Sequence, residues 1–160
     1  VDNLVCVPPG WSSEANKPRT FIEELRGVGF KVWDGSSSRV DDRDAPATDH
    51  DQLRVVSYDS CRGLEGWTSI AVAIDEFFDW KLNNPELPES VKEDLFFADS
   101  KEELEMLYAV KWLMIPMTRA IDTLYLHVAD TRSILGRSLV ELSEANPELI
   151  EVWRPPDLPY

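Results

Sequence analysis

Cysteine is scarce in this chain, and long apolar runs are absent. Two cysteines, Cys6 and Cys61, stand far apart in 160 residues, which argues against a small domain held together by disulfides. We expect both to be reduced, near-core thiols of a cytoplasmic protein. The longest apolar run, Ile70 to Ile74, has about five residues, whereas a membrane-spanning helix needs roughly 20. We therefore expect no membrane segment and no targeting sequence.

Basic residues are also few. The chain has 16 Lys and Arg against 30 Asp and Glu, a net charge of -14, which opposes non-specific attraction to a phosphate backbone. This balance argues against a free-standing nucleic-acid-binding module, but it leaves open a domain that shares a groove with a more basic neighbour. The chain begins at Val1, without a methionine and directly before a strand-like run, so we expect it to be a piece of a longer protein.

The motifs of several site types are missing as well. No phosphate-loop pattern G-x-x-x-x-G-K-[ST] is present, and neither His50 nor His127 belongs to a recognisable metal or nucleophile motif. The aspartates around Asp42 do not form a calcium loop, because Leu53 occupies the position of its bidentate glutamate. We expect no metal site and no nucleotide hydrolysis by this chain alone.

Apolar runs and helical patterns alternate along the chain. This order predicts an α/β, three-layer domain with a mainly parallel sheet and helices on both faces. Helices are predicted at about Lys17 to Gly27, through Leu104 up to an interruption at Pro116, and from Ile134 to Leu142. The predicted strands are Leu4 to Val7, Phe30 to Trp33, Leu53 to Val56, Ile70 to Ile74 and Leu124 to Val128.

Two acidic stretches separate these elements. Residues 34–52 are predicted to be a flexible loop, and residues 77–100 an acidic insertion with local aromatic clusters. The insertion is either a surface loop or a docking surface for another domain or for stacked bases. At its end, Ser100 and Glu103 form a capping box for the next helix. The face of that helix expected in the core comprises Leu104, Leu107, Val110, Met114 and Met117.

Two short motifs carry a resemblance. Residues Ser57 to Glu65 read Ser-Tyr-Asp-Ser-Cys-Arg-Gly-Leu-Glu, and Met117 to Ala120 read Met-Thr-Arg-Ala. They resemble motifs V and VI of the UvrD/Rep-type superfamily-one DNA helicases, in the order and strand-helix setting of that family. The resemblance covers the chain from Asn3 to about Val128. It implies that residues 1–160 are the second, C-terminal RecA-like motor domain of a helicase.

The resemblance implies an ATP site shared between two domains. The N-terminal RecA-like domain of the same parent chain would supply the phosphate loop and the Mg²⁺ ligands, and single-stranded DNA would be the second partner. Arg119 occupies the position of the family's arginine finger, which stabilises charge on the γ-phosphate. The alternative is an arginine that merely closes a helix C-terminus, where the helix dipole favours a cation.

Further site residues follow from the same resemblance. Gly63 matches a glycine that lets backbone amides approach phosphate, and Glu65 matches a glutamate that accepts hydrogen bonds from the nucleotide ribose. Arg62 stands where the family has lysine. The alternatives are a plain turn glycine at Gly63 and a solvated loop carboxylate at Glu65. Ser57 and Thr118 are further possible contacts to DNA or nucleotide.

The chain also departs from the family pattern. Asp59 replaces a histidine that in many relatives contacts DNA, so an acceptor that phosphate repels stands in place of a donor. Motif IV has no clear match, although Trp11 could stack on a base and Arg19 could reach a phosphate. These departures keep a second hypothesis open, namely a non-catalytic interaction or regulatory module that retains the helicase fold.

Overall fold

The computed structural model describes residues 2–9, 18–36, 51–86 and 100–153, with side chains in all of these except residues 18–20. The described part contains five strands and four α-helices. The strands are β1 (Asn3–Val7), β2 (Val32–Gly35), β3 (Leu53–Ser57), β4 (Gly66–Ala71) and β5 (Ala120–Leu126). The helices are α1 (Pro18–Gly27), α2 (Ile74–Asn83), α3 (Lys101–Met117) and α4 (Ile134–Ala145).

The five strands form one sheet in which every pairing is parallel. The strand order is β2-β3-β1-β4-β5. The central strand β1 pairs with β3 from Asn3↔Leu53 to Val7↔Ser57, and with β4 from Asn3↔Thr68 to Cys6↔Ala71. Since a strand between two neighbours in a parallel sheet is buried on both faces, its apolar sequence Leu-Val-Cys-Val fits the central position.

Alternate residues of β1 enter two separate cores. Leu4 and Cys6 belong to one cluster, which also contains residues of α2, α3 and α4, whereas Val5 and Val7 belong to a second cluster with Ile22 of α1. Successive side chains of a strand point to opposite faces of the sheet. The helices therefore cover both faces, and the domain is a three-layer α/β domain of the RecA-like type, as the sequence predicts. No helix in the described ranges is long and apolar enough to cross a membrane.

The start of α2 differs from the sequence prediction. The apolar run Ile70 to Ile74 was predicted as one strand, but β4 ends at Ala71 and α2 begins at Ile74. Between them, Ala73 adopts a left-handed conformation with φ of 50°. The interpretation of 77–100 as a surface loop is thus wrong up to residue 83, where the chain is helical, while residues 87–99 lie outside the described part. Phe77 and Phe78 explain the helix, since both are buried in the core.

The core-facing side of α3 also differs from the prediction. Leu107, Val110 and Met114 are exposed, whereas Ala109 and Leu113 are buried. Both sets recur at helical spacing, and this helix carries apolar residues nearly all round, so periodicity alone does not select the inward face. Packing against α2 selects it, since Ala109 and Leu113 share one buried cluster with Phe77 and Phe78 of α2.

The ends of α3 follow the sequence signals. Ser100 is the N-cap, and its hydroxyl accepts a hydrogen bond from the amide of Glu103 at 3.1 Å, as the capping box predicts. Pro116 lies in the last turn, and the helix ends at Met117 with Thr118 as C-cap.

The predicted strand and loop limits near β2 and β5 shift by a few residues. Phe30 is exposed and precedes β2, which runs through Asp34 and so delays the acidic loop predicted for 34–52. Residues 37–50 of that loop lie outside the described part. Val128 follows β5, although it packs against the core.

Candidate functional site

The segment between β3 and β4 brings the first motif to the amino end of the sheet. Strand β3 ends at Ser57 and β4 begins at Gly66. Both strands run in the same direction, so the eight residues between them must cross back over one face. Tyr58 and Cys61 are fully buried along this crossing, which fixes its path against the core.

Arg119 lies at the same edge, directly before β5. The amide of Gly66 donates to the Arg119 carbonyl at 3.0 Å, which joins the starts of β4 and β5. The Arg119 side chain donates through Nε to the carbonyl of Ile115 at 3.0 Å and through Nη1 to that of Leu64 at 3.4 Å. Its Nη2 donates to the Thr118 hydroxyl at 2.9 Å. The guanidinium is therefore held between the end of α3 and the segment before β4.

A cavity of about 290 Å³ lies where these two segments meet. The two motifs contribute four of its lining residues and the last turns of α3 contribute two. They are Arg62, Gly63, Met114, Ile115, Thr118 and Arg119. Four of the residues singled out in the sequence thus share one cavity, although more than 50 positions separate the two motifs in the chain.

The guanidinium of Arg119 brings positive charge to this cavity. Within the part of the chain that the structure describes, Arg119 makes no ion pair, and its side-chain hydrogen bonds go to two carbonyls and a hydroxyl. It is half-buried. Neutral acceptors orient the guanidinium but leave its net charge in place, so the cavity is suited to an anion.

The two cysteines lie beneath this site. Both are free and buried, as predicted. A hydrogen bond shared with Cys61 raises the pKa of the Cys6 thiol, and burial adds to this; the same bond lowers the pKa of Cys61. The charge of Arg119 also lowers the pKa of Cys61.

The backbone conformation of Gly63 and the exposure of the Glu65 side chain bear on the roles predicted for these two residues. Gly63 has φ of 76°, a conformation in which a side chain is strained. The Glu65 carbonyl accepts a hydrogen bond from the Arg54 guanidinium. The Glu65 side chain is exposed and has no hydrogen-bond or ion-pair partner among the described residues. Its carboxylate is thus free to accept hydrogen bonds from a ligand.

Arg62 rests on an aromatic ring. Its guanidinium carbon lies 4.6 Å from the ring centroid of Trp112 on α3. The side chain is exposed, and within the described ranges it has no acidic partner. Arg62 therefore adds a second positive charge to the cavity, and its position depends on α3.

Ser57 and Asp59 lie away from this cavity, at the carboxyl end of β3. The Ser57 hydroxyl donates to that of Ser60 at 3.0 Å. Asp59 accepts a hydrogen bond from Lys81 of α2 at 3.4 Å. Whereas Asp59 is partly exposed, Lys81 is buried. The carboxylate of Asp59 is thus partnered by a lysine of the same chain.

Two sequence-predicted contacts cannot be placed. Trp11 lies outside the described residues, and Arg19 belongs to α1 with a side chain that also lies outside them. A second cavity of about 180 Å³ lies at the carboxyl end of β1. Its lining residues are Pro8, Pro9, Glu76, Phe77 and Trp80.

Sequence reasoning missed two residues near the site, Trp112 and Lys81. Trp112 falls in an apolar helix, where it is indistinguishable from a core residue, and Lys81 lies in the stretch predicted as an insertion. A lysine one residue after Trp80, in a segment with Phe77 and Phe78, is a weak signal of a cation among aromatic rings.

The chain matches no protein-family model, no curated protein and no solved structure in comparisons with each. The fold and the geometry of the cavity therefore carry the functional argument.

Proposed function

We propose that this domain is the C-terminal RecA-like motor domain of a UvrD/Rep-like, ATP-dependent DNA helicase or translocase. In this proposal the cavity between the turn at Gly63 and the end of α3 receives the γ-phosphate of an ATP bound to a first motor domain. Arg119 acts as the arginine finger, and Glu65 meets the ribose. The free thiols fit the cytoplasmic location that we propose for such a protein.

One observation carries this proposal. Arg119 and Gly63, from two motifs remote in sequence, line one cavity, and the guanidinium there donates its hydrogen bonds to neutral acceptors among the described residues. Phosphoryl transfer spreads negative charge over the equatorial oxygens of the transferred group, and an arginine delivered across a domain interface stabilises that charge. An arginine that only closed a helix would not need a carbonyl of a distant segment, Leu64, to orient it.

The donors at the cavity fit a phosphate but not a magnesium ion. Two guanidinium groups and the backbone at Gly63 are donors to anionic oxygens, whereas Mg²⁺ requires carboxylate oxygens. The described residues contain no group of three or more His, Cys, Asp or Glu that could hold a metal. In this proposal the first motor domain supplies the Mg²⁺ ligands and the phosphate loop, for which this chain has no G-x-x-x-x-G-K-[ST] sequence.

A second candidate function is a non-catalytic interaction module with the same fold. The charge of -14 and the acidic Asp59 favour it, because both oppose contact with DNA. The exposed apolar side chains of Leu107, Val110 and Met114 on α3 would then contact a partner protein.

ATP turnover by the intact protein, with and without single-stranded DNA, tests the proposal. We expect a DNA-stimulated rate that falls by roughly a thousandfold or more in Arg119→Ala, and Arg119→Lys to recover little of it because lysine lacks the planar fork. Arg137→Ala is the matched control, since Arg137 is an exposed arginine of α4. No turnover in the native protein, or turnover unchanged by Arg119→Ala, would favour the interaction module.

A further inference from the structure

Trp112 of α3 carries two cations on its ring. The Arg62 guanidinium carbon lies 4.6 Å from the ring centroid, and the Lys81 Nζ lies 3.5 Å from it. Tryptophan has the most favourable ring for a cation. Trp112 thus connects α2, through Lys81, with the turn before β4, through Arg62.

Lys81 anchors one side of this arrangement. Its side chain is 4% exposed, and its ammonium lies close to the rings of Trp80 at 4.7 Å and Phe77 at 5.6 Å, in addition to Trp112. Asp59 is its carboxylate partner at 3.4 Å. A buried ammonium loses its hydration, and aromatic faces together with one carboxylate replace that solvation. Lys81 therefore has little freedom to move, and it holds one contact of Trp112 in place.

Arg62 is the exposed side of the arrangement. It is exposed, lies at the cavity, and has no ion-pair partner in the described residues. A long side chain without such a contact would sample many rotamers. The ring of Trp112 restricts it, and the turn that contains Arg62 and Gly63 is restricted with it.

We propose that Trp112 is a positioning residue, which sets Arg62 and the turn from Cys61 to Glu65 for contact with phosphate. This inference rests on the proposed function, because the phosphate is that of ATP. Trp112 itself does not line the cavity. It acts through Arg62 on the site and through Lys81 on α2, and it couples the two.

Hydrogen exchange of the native chain tests the positioning without any need for ATP. The Leu64 amide donates to the Cys61 carbonyl at 3.1 Å and reports closure of the turn. We expect exchange in the peptide 61–66 to be roughly threefold to tenfold faster in Trp112→Leu, the scale of one cation-π contact. Trp112→Phe keeps a smaller aromatic face and should recover part of the protection.

Trp80→Leu is the matched control, because Trp80 also contacts Lys81 but no contact joins it to Arg62. It should leave exchange in the turn unchanged. Unchanged exchange in Trp112→Leu, or equal acceleration in Trp80→Leu, would overturn the positioning role. If the native protein showed no ATP turnover, the proposed function would fail, while the exchange result would still decide whether Trp112 orders the turn.

Steady-state kinetics of the intact protein test whether the loss of Trp112 weakens the interaction with ATP. We expect Trp112→Leu to raise KM for ATP about fivefold, the scale of one cation-π contact, with a smaller change in kcat, because Arg119 is held by its own acceptors. The double variant Trp112→Leu with Arg62→Gln should be no worse than Arg62→Gln alone, since residues that act in sequence are not additive. Additive losses, or a fall in kcat with KM unchanged, would contradict action through Arg62.

Discussion

Arg119 donates a hydrogen bond through Nη1 to the carbonyl oxygen of Leu64 at 3.4 Å, across 55 positions of sequence. The amide of Gly66 returns a bond to the Arg119 carbonyl at 3.0 Å. Side chain and backbone of one arginine thus join the turn before β4 to the start of β5. A movement of either segment would therefore move the guanidinium.

The conformation of Gly63 predicts that replacing this glycine lowers the free energy of unfolding. Its φ is positive, and an added Cβ would meet no atom within 4 Å. Gly63→Ala should therefore lower the free energy of unfolding by about 1 kcal/mol through strain alone, and Gly63→Asn by less, because asparagine tolerates this region. Urea denaturation measures both. Gly27→Ala is the control, since Gly27 ends α1 without a positive φ and also has open space. Equal losses at both glycines would contradict the strain argument.

Asp75 links the start of α2 to the segment after β5. This buried carboxylate accepts hydrogen bonds from the amides of Ala129 and Asp130, each at 2.8 Å. In Asp75→Asn one of these amides would face an N–H₂ group or lose its acceptor, so we expect a loss of about 1–3 kcal/mol in unfolding free energy. Glu76→Gln, an exposed change one residue further along, should have almost no effect. Thermal denaturation of both variants checks this, and comparable stability of the two would contradict it.

The raised pKa of Asp79 predicts that replacing this residue by asparagine stabilises the protein, and that the gain depends on pH. Burial, and then the nearby charges of Asp75 and Asp130, raise the pKa of its carboxyl above the usual value of 3.8. A raised pKa means that the folded state holds the proton more tightly, so ionisation of Asp79 opposes folding as the pH rises through the two values. Asp79→Asn should therefore stabilise the protein at about pH 7 and make no difference at about pH 3, where the carboxyl is protonated in both states. Denaturation of native and variant protein across this range measures the difference. A gain that is the same at both ends would rule out this titration as its cause.

The N-cap of α3 offers a local test of helix stability near the site. The Ser100 hydroxyl accepts a hydrogen bond from the Glu103 amide at 3.1 Å. Ser100→Ala should cost about 1 kcal/mol. In contrast, Ser138→Ala in α4 should be near neutral, because that hydroxyl only donates to the Ile134 carbonyl inside a helix. Circular dichroism during urea unfolding compares the two, and a cost at Ser138 equal to that at Ser100 would argue against the cap.

Much of the fold could be predicted from local sequence. Short apolar runs located all five strands, and Pro116 together with Ser100 located the ends of α3, because turn and cap chemistry is local. Helix α2 could not be predicted, since its apolar residues continue the run of β4 without a gap. The left-handed turn at Ala73 separates the two elements, and nothing in the sequence marks an alanine for that conformation.

The sequence also predicted the candidate site only in part. Arg62, Gly63, Thr118 and Arg119 were singled out from two motifs and lie at one cavity. Ser57 and Asp59 were singled out from the same first motif but lie at the other end of β3. The motif is continuous in sequence, yet the chain crosses the full length of the sheet within it. Residues that are close together in the motif are therefore far apart in the structure.

The sequence by itself determined the parallel α/β sheet, the caps of α3 and the identity of the arginine that we propose as the finger. Periodicity, cap chemistry and motif are all properties of neighbouring residues. Only the tertiary structure decided which face of α3 is buried, where Asp59 finds its partner and how Arg62 is held. The first depends on the packing of Ala109 and Leu113 into the core, and the other two depend on Lys81 of α2 and Trp112 of α3. Their contacts with the turn form only when the helices pack on the sheet.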